Sequence, residues 1–250
     1  MRFLRAQKDG QAFYAALEGE RVRRLTGLPY DGVQYSGEEY SLGEVKLLPP
    51  SEPTKIVAVG LNYAKHAAEL KEKLVGNPVL FLKPTTALIA HGEKIVWPAA
   101  SAQVDYEAEL ALVIGRVCKN VTTEEAPQYI FGYTALNDVT ARDVQKSDGQ
   151  WTRAKSYDTF CPVGPYVDSE YNPADRRVQS VLDGEVKQDG QTGDMLFTPA
   201  ELVSFISACM TLLPGDIIAT GTPEGIGPMR RGGEIEIRIE GLETLRNSVD

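Results

Sequence analysis

Short apolar runs closed off by glycine, proline or charged residues recur along this chain, and few of them carry the 3.6-residue period of a helix. Residues 13–17 and 21–25 flank Glu18-Gly19-Glu20, a hairpin signal. Residues 1–48 therefore read as a small β-rich domain. The proline-rich stretch L-L-P-P-S-E-P that follows reads as the connector to a larger domain over residues 55–250. Strands are expected at 55–59, 79–82, 94–96, 107–114, 130–136, 216–220 and 234–239. Residues 178–182 and 185–188 flank Asp183-Gly184, a type I′ hairpin signal. Helices are expected from a cap at Asn62 to about Lys73 and over 199–211, with a short helical stretch after Asp138 that holds Arg142 and Gln145. Many short strands and few helices give an α+β, β-dominated fold rather than alternating βαβ units.

One strand does not fit the pattern. V-D-Y-E-A-E-L-A-L-V-I-G is apolar except at its start, where Glu107 and Glu109 stand two residues apart. In a strand such residues point to the same side, whereas on a helix they would lie roughly 200° apart. Ala108, Leu110, Leu112 and Ile114 then face the opposite, core side. Two carboxylates on one apolar strand repel each other and resist desolvation, and a divalent cation removes both penalties. Asp138, just past the strand at 130–136, is the third candidate ligand. An all-carboxylate set favours Mg²⁺, Mn²⁺ or Ca²⁺ over zinc or copper. On spacing alone, a solvent-facing edge strand accounts for the pair equally well.

Composition narrows the function classes. A chain of 250 residues can bury a full core. A formal charge of −9 argues against nucleic acid and anionic membranes as partners. No apolar run approaches the roughly 20 residues of a membrane span. M-R-F-L-R-A-Q-K-D-G lacks a signal-peptide core, so a cytoplasmic location is expected. Cys118, Cys161 and Cys209 show no metal or disulfide spacing, and Cys161 beside Pro162 reads as buried and inert.

Other residues carry candidate chemistry. His66 and Glu69 are three apart on a helix face, where a carboxylate can set an imidazole's tautomer and make it a general base. Taken alone, they read as an exposed pair worth a few tenths of a kcal/mol. Lys155 and Arg153 lie in W-T-R-A-K-S-Y-D-T-F, and Arg142 lies four residues past Asp138. Cations near a divalent metal suit an anionic or enolate-forming substrate, although most such side chains are merely solvated. T-G-T-P-E-G-I-G, residues 220–227, matches neither a P-loop nor a dinucleotide loop.

In order along residues 55–242, G-L-N-Y-A-K-H-A-A-E, V-L-F-L-K-P, D-Y-E-A-E-L-A-L-V-I-G, N-D-V-T-A-R-D-V-Q, W-T-R-A-K-S-Y-D-T-F-C-P-V-G-P, G-Q-T-G-D-M-L-F and G-D-I-I-A-T-G-T-P-E-G-I-G resemble the fumarylacetoacetate hydrolase family. The resemblance implies a mixed β-sandwich roll, a homodimer, and a divalent metal on Glu107, Glu109 and Asp138. It places Lys155 beside the metal, makes His66 and Glu69 a catalytic lid pair, and puts Arg142, Gln145, Thr192 and Thr222 among the substrate contacts. Gly193 departs from the serine frequent in relatives, which removes one expected substrate contact.

The lid stretch resembles acylpyruvate hydrolases and oxaloacetate decarboxylases, and equally the isomerases and decarboxylases of hydroxyhepta-diene-dioate from aromatic-acid breakdown. The expected activity is cleavage of a C–C bond in a 2-oxo acid, with Lys155 and Mg²⁺ or Mn²⁺ stabilising the developing enolate. Isomerisation of the diene-dioate is the first alternative. A non-catalytic protein holding a structural Ca²⁺ is the second, and His66, Glu69 and Lys155 argue against it.

Overall fold

The computed structural model describes residues 1–71 and 76–250. The main sheet runs, edge to edge, Tyr35–Ser41, Arg21–Leu25, Gln11–Glu18, Arg2–Lys8, Cys161–Asp168, Ile130–Asn137, Ala108–Ile114, Ile217–Ala219, Ile56–Gly60 and Val79–Lys83. The N-terminal strands thus continue the main sheet through the antiparallel pairing of Arg2–Lys8 with Cys161–Asp168. A second sheet, ordered Glu185–Gln191, Arg177–Leu182, Glu234–Ile239, Leu245–Val249 and Lys94–Ile95, packs across the first. Val178, Ile235, Ile237 and Leu245 from this sheet meet Ala108, Leu110 and Ala135 from the large one in a shared core. The architecture is mostly β, a two-sheet sandwich with a few short helices.

Several expectations meet the structure directly. Strands occupy Arg21–Leu25 and Glu234–Ile239 as read, and the turn at Asp183 and Gly184 has φ of 50° and 85°, the left-handed pair that a type I′ hairpin needs. The helix expected over 199–211 spans Pro199–Cys209, started by a capping box between Thr198 and Glu201.

Three expectations change. The stretch V-D-Y-E-A-E-L-A-L-V-I, read as one strand, is interrupted at Glu107: Val104–Tyr106 belongs to a small third sheet, and the central strand, expected over 107–114, runs from Ala108 to Ile114. Glu107 sits at the corner, where its N–H donates to the Asn137 side chain (3.0 Å) instead of to a ladder partner. Nor does the central strand bury only one face. Leu112 and Ile114 pack under the helix Pro199–Cys209, while Ala111 and Val113 pack among Ile56, Leu136 and Val163 on the other side. This strand pairs on both edges, with Ile130–Asn137 and with Ile217–Ala219, so only its first residues are open to a polar role.

Asn62 does not cap the first helix. That helix spans Ala64–Leu70, its N-cap is Tyr63 with no side-chain cap, and Lys71 turns left-handed at its end (φ 58°). The expected extension to Lys73 lies partly outside the described residues. Asn62 instead ties two loops together: Nδ2 donates to the carbonyls of Thr220 (2.7 Å) and Phe197 (3.0 Å), and Oδ1 accepts from Phe197 N (2.8 Å).

Candidate metal centre and active site

Register brings the three acids together. Ala108 pairs with Asn137 and Glu109 with Leu136, so Asp138, one residue past its strand, lands beside the corner at Glu107. Asp138 N donates to Glu107 O (2.9 Å), which locks the corner to the strand end. One carboxylate oxygen from each of Glu107, Glu109 and Asp138 lies within 4.8 Å of the other two, and all three residues are buried.

Buried cations surround this cluster. Lys155 Nζ donates to Glu107 Oε2 (2.8 Å) and Asp138 Oδ2 (2.6 Å). Lys83 Nζ, at the end of Val79–Lys83, donates to Asp138 Oδ1 (2.5 Å) and the Val139 carbonyl (3.3 Å). Arg142 spans Asp105 Oδ2 through Nε (2.8 Å) and Glu107 Oε1 through Nη2 (2.5 Å). Among the described residues Glu109 is held by a single bond, from Gly221 N to Oε2 (2.8 Å). Among the described residues its Oε1 accepts none.

The electrostatics follow. Four buried carboxylates, with Asp105 the fourth, face three buried cations, leaving one formal negative charge. Burial and the neighbouring Asp138 and Glu107 carboxylates push Glu109 well above the usual carboxylate range. Burial acts on Glu107 in the same sense, but Lys155 and Arg142 overcome it and hold Glu107 well below that range. Excess negative charge, hard oxygen donors and an unpartnered Glu109 oxygen all fit a divalent cation of the Mg²⁺ or Mn²⁺ kind. Ligation of this kind would ionise Glu109.

The helix Ala64–Leu70 closes over the cluster. His66 is only 4 % exposed while Glu69 stays exposed, so the exposed-pair reading fails for the imidazole and holds for its carboxylate partner. Glu69 Oε2 lies 3.2 Å from His66 Nδ1, and its Oε1 accepts from Gly225 N (3.1 Å). With Nδ1–H donating to the carboxylate, Nε2 is left with its lone pair. His66, Glu107, Glu109, Asp138, Arg142, Gln145, Lys155 and Thr222 all line one cleft. Thr222 is fixed by donating to Ala108 O (2.9 Å) and accepting from Gln188 Nε2 (2.7 Å). Gly221 has φ 96°, and a Cβ there would stand 2.7 Å from Asn62 Cβ, so only glycine delivers its N–H to Glu109.

Not every expected residue reaches the cleft. Thr192 lines a different surface hollow, with its Oγ1 donating to Pro173 O (2.5 Å) and accepting from Arg176 N (2.8 Å). Its hydroxyl fastens a turn. Gly193 lines the same hollow, and a side chain there would press on Asp175 Oδ1, so its departure from serine leaves the cleft untouched. Arg153 is exposed and pairs with Asp148. Cys161 is fully buried, and burial pushes its thiol up to about 12. Sequence reasoning missed Lys83, Asp105, Phe81 and Trp151. A lone lysine closing the apolar run V-L-F-L-K was the one available signal for the first of these.

Residues 55–250 match the family described as Fumarylacetoacetate (FAA) hydrolase C-terminal, and residues 1–50 match Rv2993c-like, N-terminal. The chain belongs to the fumarylacetoacetate hydrolase family. Within the family it is 43 % identical to the crystal structure of 2-hydroxyhepta-2,4-diene-1,7-dioate isomerase from Mycobacterium marinum, with a TM-score of 0.93 over 100 % of this chain and 98 % of the other. Oxaloacetate tautomerase FAHD1, mitochondrial, of Pongo abelii is 42 % identical over 78 % of this chain and 91 % of its own. Maleylpyruvate hydrolase from Sphingobium sp. SYK-6, solved with manganese(II) and pyruvate, is 30 % identical, with a TM-score of 0.81 over 100 % of this chain and 98 % of the other. No helix among the described residues is long and apolar enough to cross a membrane.

Proposed function

We propose that this family member is a divalent-metal-dependent enzyme that breaks the C3–C4 bond of a 2-oxo acid, one carbon beyond the oxo group, by hydrolysing acylpyruvates or decarboxylating oxaloacetate. The observation that carries this is the convergence of the Lys155 ammonium, the His66–Glu69 pair and three clustered carboxylates on one cleft. Glu107, Glu109 and Asp138 are the ligands proposed for Mg²⁺ or Mn²⁺. When bound, such an ion supplies Lewis acidity to the substrate's carboxylate and 2-oxo oxygens.

The chain's own residues do the rest. His66 Nε2 takes a proton from water, and the resulting hydroxide adds to the distal carbonyl of an acylpyruvate. Glu69 holds the imidazole and stabilises the imidazolium that forms. As the C–C bond breaks, its electron pair moves toward the 2-oxo oxygen, where Lys155 donates a hydrogen bond to the developing enolate. A proton returns to carbon to give pyruvate. For oxaloacetate, carbon dioxide leaves instead and no water is needed. Arg142, Gln145 and Thr222 line the same cleft, which supports a role in orienting the substrate.

A second reading rests on the identity to the diene-dioate isomerase across the whole chain. The same residues can move a proton between carbons without bond cleavage. An ultraviolet assay of an acylpyruvate, oxaloacetate and the diene-dioate, with Mg²⁺, with Mn²⁺ and with EDTA, separates the two. Metal-dependent release of pyruvate from either of the first two supports C–C cleavage. A shifted diene chromophore without pyruvate supports isomerisation, and turnover indifferent to EDTA refutes both.

A further inference from the structure

We infer that Asp105, a buried acid to which the proposed function assigns no task, is a positioning residue that aims Arg142 and, through it, presents the Gln145 amide to the substrate as a hydrogen-bond donor. This inference rests on the function proposed above and deepens it.

Register places the pair. In the small third sheet Val104 pairs with Ala141 and Asp105 with Thr140, and Arg142 N donates to Gln103 O (2.9 Å). Arg142 lies two residues beyond Thr140, which sets its side chain on the face that carries Asp105. There Nε donates to Asp105 Oδ2 (2.8 Å), and the other carboxylate oxygen accepts from Gln103 Nε2 (2.9 Å). Asp105 is 2 % exposed and Arg142 3 %. Arg142 lines the cleft and Asp105 does not, so the acid reaches the substrate only through its partner.

The guanidinium passes that constraint on. It is planar, with five N–H donors and no acceptor. Each of its nitrogens has its own partner: Nε holds Asp105, Nη2 donates to Glu107 Oε1 (2.5 Å) and Nη1 donates to Gln145 Oε1 (2.5 Å). One rigid plane thus braces a proposed metal ligand and an amide that lines the cleft. Because Arg142 can only donate, the Gln145 atom facing it is the oxygen, and the amide nitrogen turns away from it. Gln145 stands three residues after Arg142 on the helix Arg142–Asp148, and among the described residues its Nε2 donates to no group. The substrate atom it meets is therefore an oxygen with free lone pairs. Without Asp105, Nε loses its anchor, and the guanidinium can pivot about its contacts with Glu107 and Gln145.

The test is isothermal titration of the protein with pyruvate at saturating Mg²⁺. Asp105→Ala should bind pyruvate at least about tenfold more weakly than the native protein. Asp105→Asn should lose less than about threefold, because its amide oxygen still accepts from Arg142 Nε and a flipped Gln103 amide meets the new NH₂. In an Arg142→Met background, Asp105→Ala should change pyruvate affinity by less than about twofold, since a positioning residue has no effect once the group it aims is gone. Gln145→Met removes the donor and should cost about tenfold, and Gln145→Glu, which offers an acceptor in its place, should cost more. Circular dichroism establishes that each variant is folded. A folded Asp105→Ala that binds pyruvate within about twofold of the native protein overturns the positioning role. So do equal losses in Asp105→Ala and Asp105→Asn, or a loss from Asp105→Ala that is as large in the Arg142→Met background as in the native protein. Pyruvate binding by Gln145→Glu as tight as that of the native protein overturns the donor assignment, and decides the matter if Asp105→Ala does not fold. Each of these results leaves the proposed function standing. Failure of the native protein to bind pyruvate in a Mg²⁺-dependent way overturns the proposed function, and the positioning role falls with it.

Discussion

Glu109→Gln separates the demand for a cation from the demands of the fold. The amide oxygen can still accept from Gly221 N, so the 2.8 Å contact has a replacement. What disappears is a carboxylate whose proton affinity is raised by burial and by Asp138 and Glu107. A group with a raised folded pKa contributes stability that is fully present below its unfolded pKa, about 4.3, and is lost as pH rises. In the absence of metal, the native protein therefore carries a stability loss at neutral pH that the variant lacks. The carboxylate oxygens lie within 4.8 Å of one another. An ionised pair at that separation repels by about 3 kcal/mol at an effective dielectric constant near 20. Glu109 evades part of this by holding its proton, so the variant should gain about 1–3 kcal/mol in EDTA at pH 7.5, a midpoint rise of several degrees. Metal acts in the opposite direction. At about one hundred times Kd, a ligand of the native state adds about 2.7 kcal/mol, or roughly 5–10 °C for a chain of this size. Scanning calorimetry in EDTA, Mg²⁺ and Mn²⁺ between pH 5 and 8 reads both effects. We expect the native protein to rise with metal and the variant to rise by less than about 2 °C. A variant less stable than the native protein in EDTA, yet raised equally by metal, would refute the assignment of Glu109.

Three further substitutions probe the site. His66→Ala should slow acylpyruvate hydrolysis by roughly 10²–10⁴-fold and oxaloacetate decarboxylation far less, because only the former needs activated water; equal losses in parallel kinetics would reduce the helix to a cover. Lys83→Met leaves Asp138 with one ammonium partner instead of two and should destabilise the metal-free protein by about 3–5 kcal/mol in urea titration, with metal restoring part of the loss. Gly221→Ala should weaken metal binding at least about tenfold and lower the unfolding midpoint, since its backbone is left-handed and Asn62 fills the space; unchanged metal affinity by titration would mean that Glu109 needs no such support.

The acid cluster was legible because parity along a strand is a local property. Two residues apart is enough to aim Glu107 and Glu109 together, even though the strand proved to be broken at Glu107. The hairpin at Asp183-Gly184 and the helix from Pro199 were legible for the same reason, each being contained in a run of consecutive residues. What escaped depends on distant register. Lys83 meets Asp138 across 55 residues, and Arg142 meets Asp105 across 37. No local pattern marks a lysine as an internal counter-ion. Asn62 looked like a helix cap because asparagine ahead of a helix usually is one, yet the loops at Phe197 and Thr220 claim its amide. Thr192 was assigned to substrate by resemblance, and its hydroxyl is used by the turn around Pro173 and Arg176.

The loop after Ala219 fastens the central strand and the covering helix at once: Gly221 N holds Glu109, Thr222 holds the Ala108 carbonyl, and Gly225 N holds Glu69 on the helix above. The covering helix and Glu109 of the acid cluster are thus indexed to one short backbone segment more than a hundred residues away from either. For protein engineering this makes residues 61–70 and 220–225 a single exchangeable part. A chimera that imports only a relative's covering helix would join a new carboxylate to an old loop, and Glu69 and Gly225 would fall out of register. Moving both segments together carries the joint with them, so altered chemistry in this scaffold is best sought by paired grafting and not by single-segment swaps.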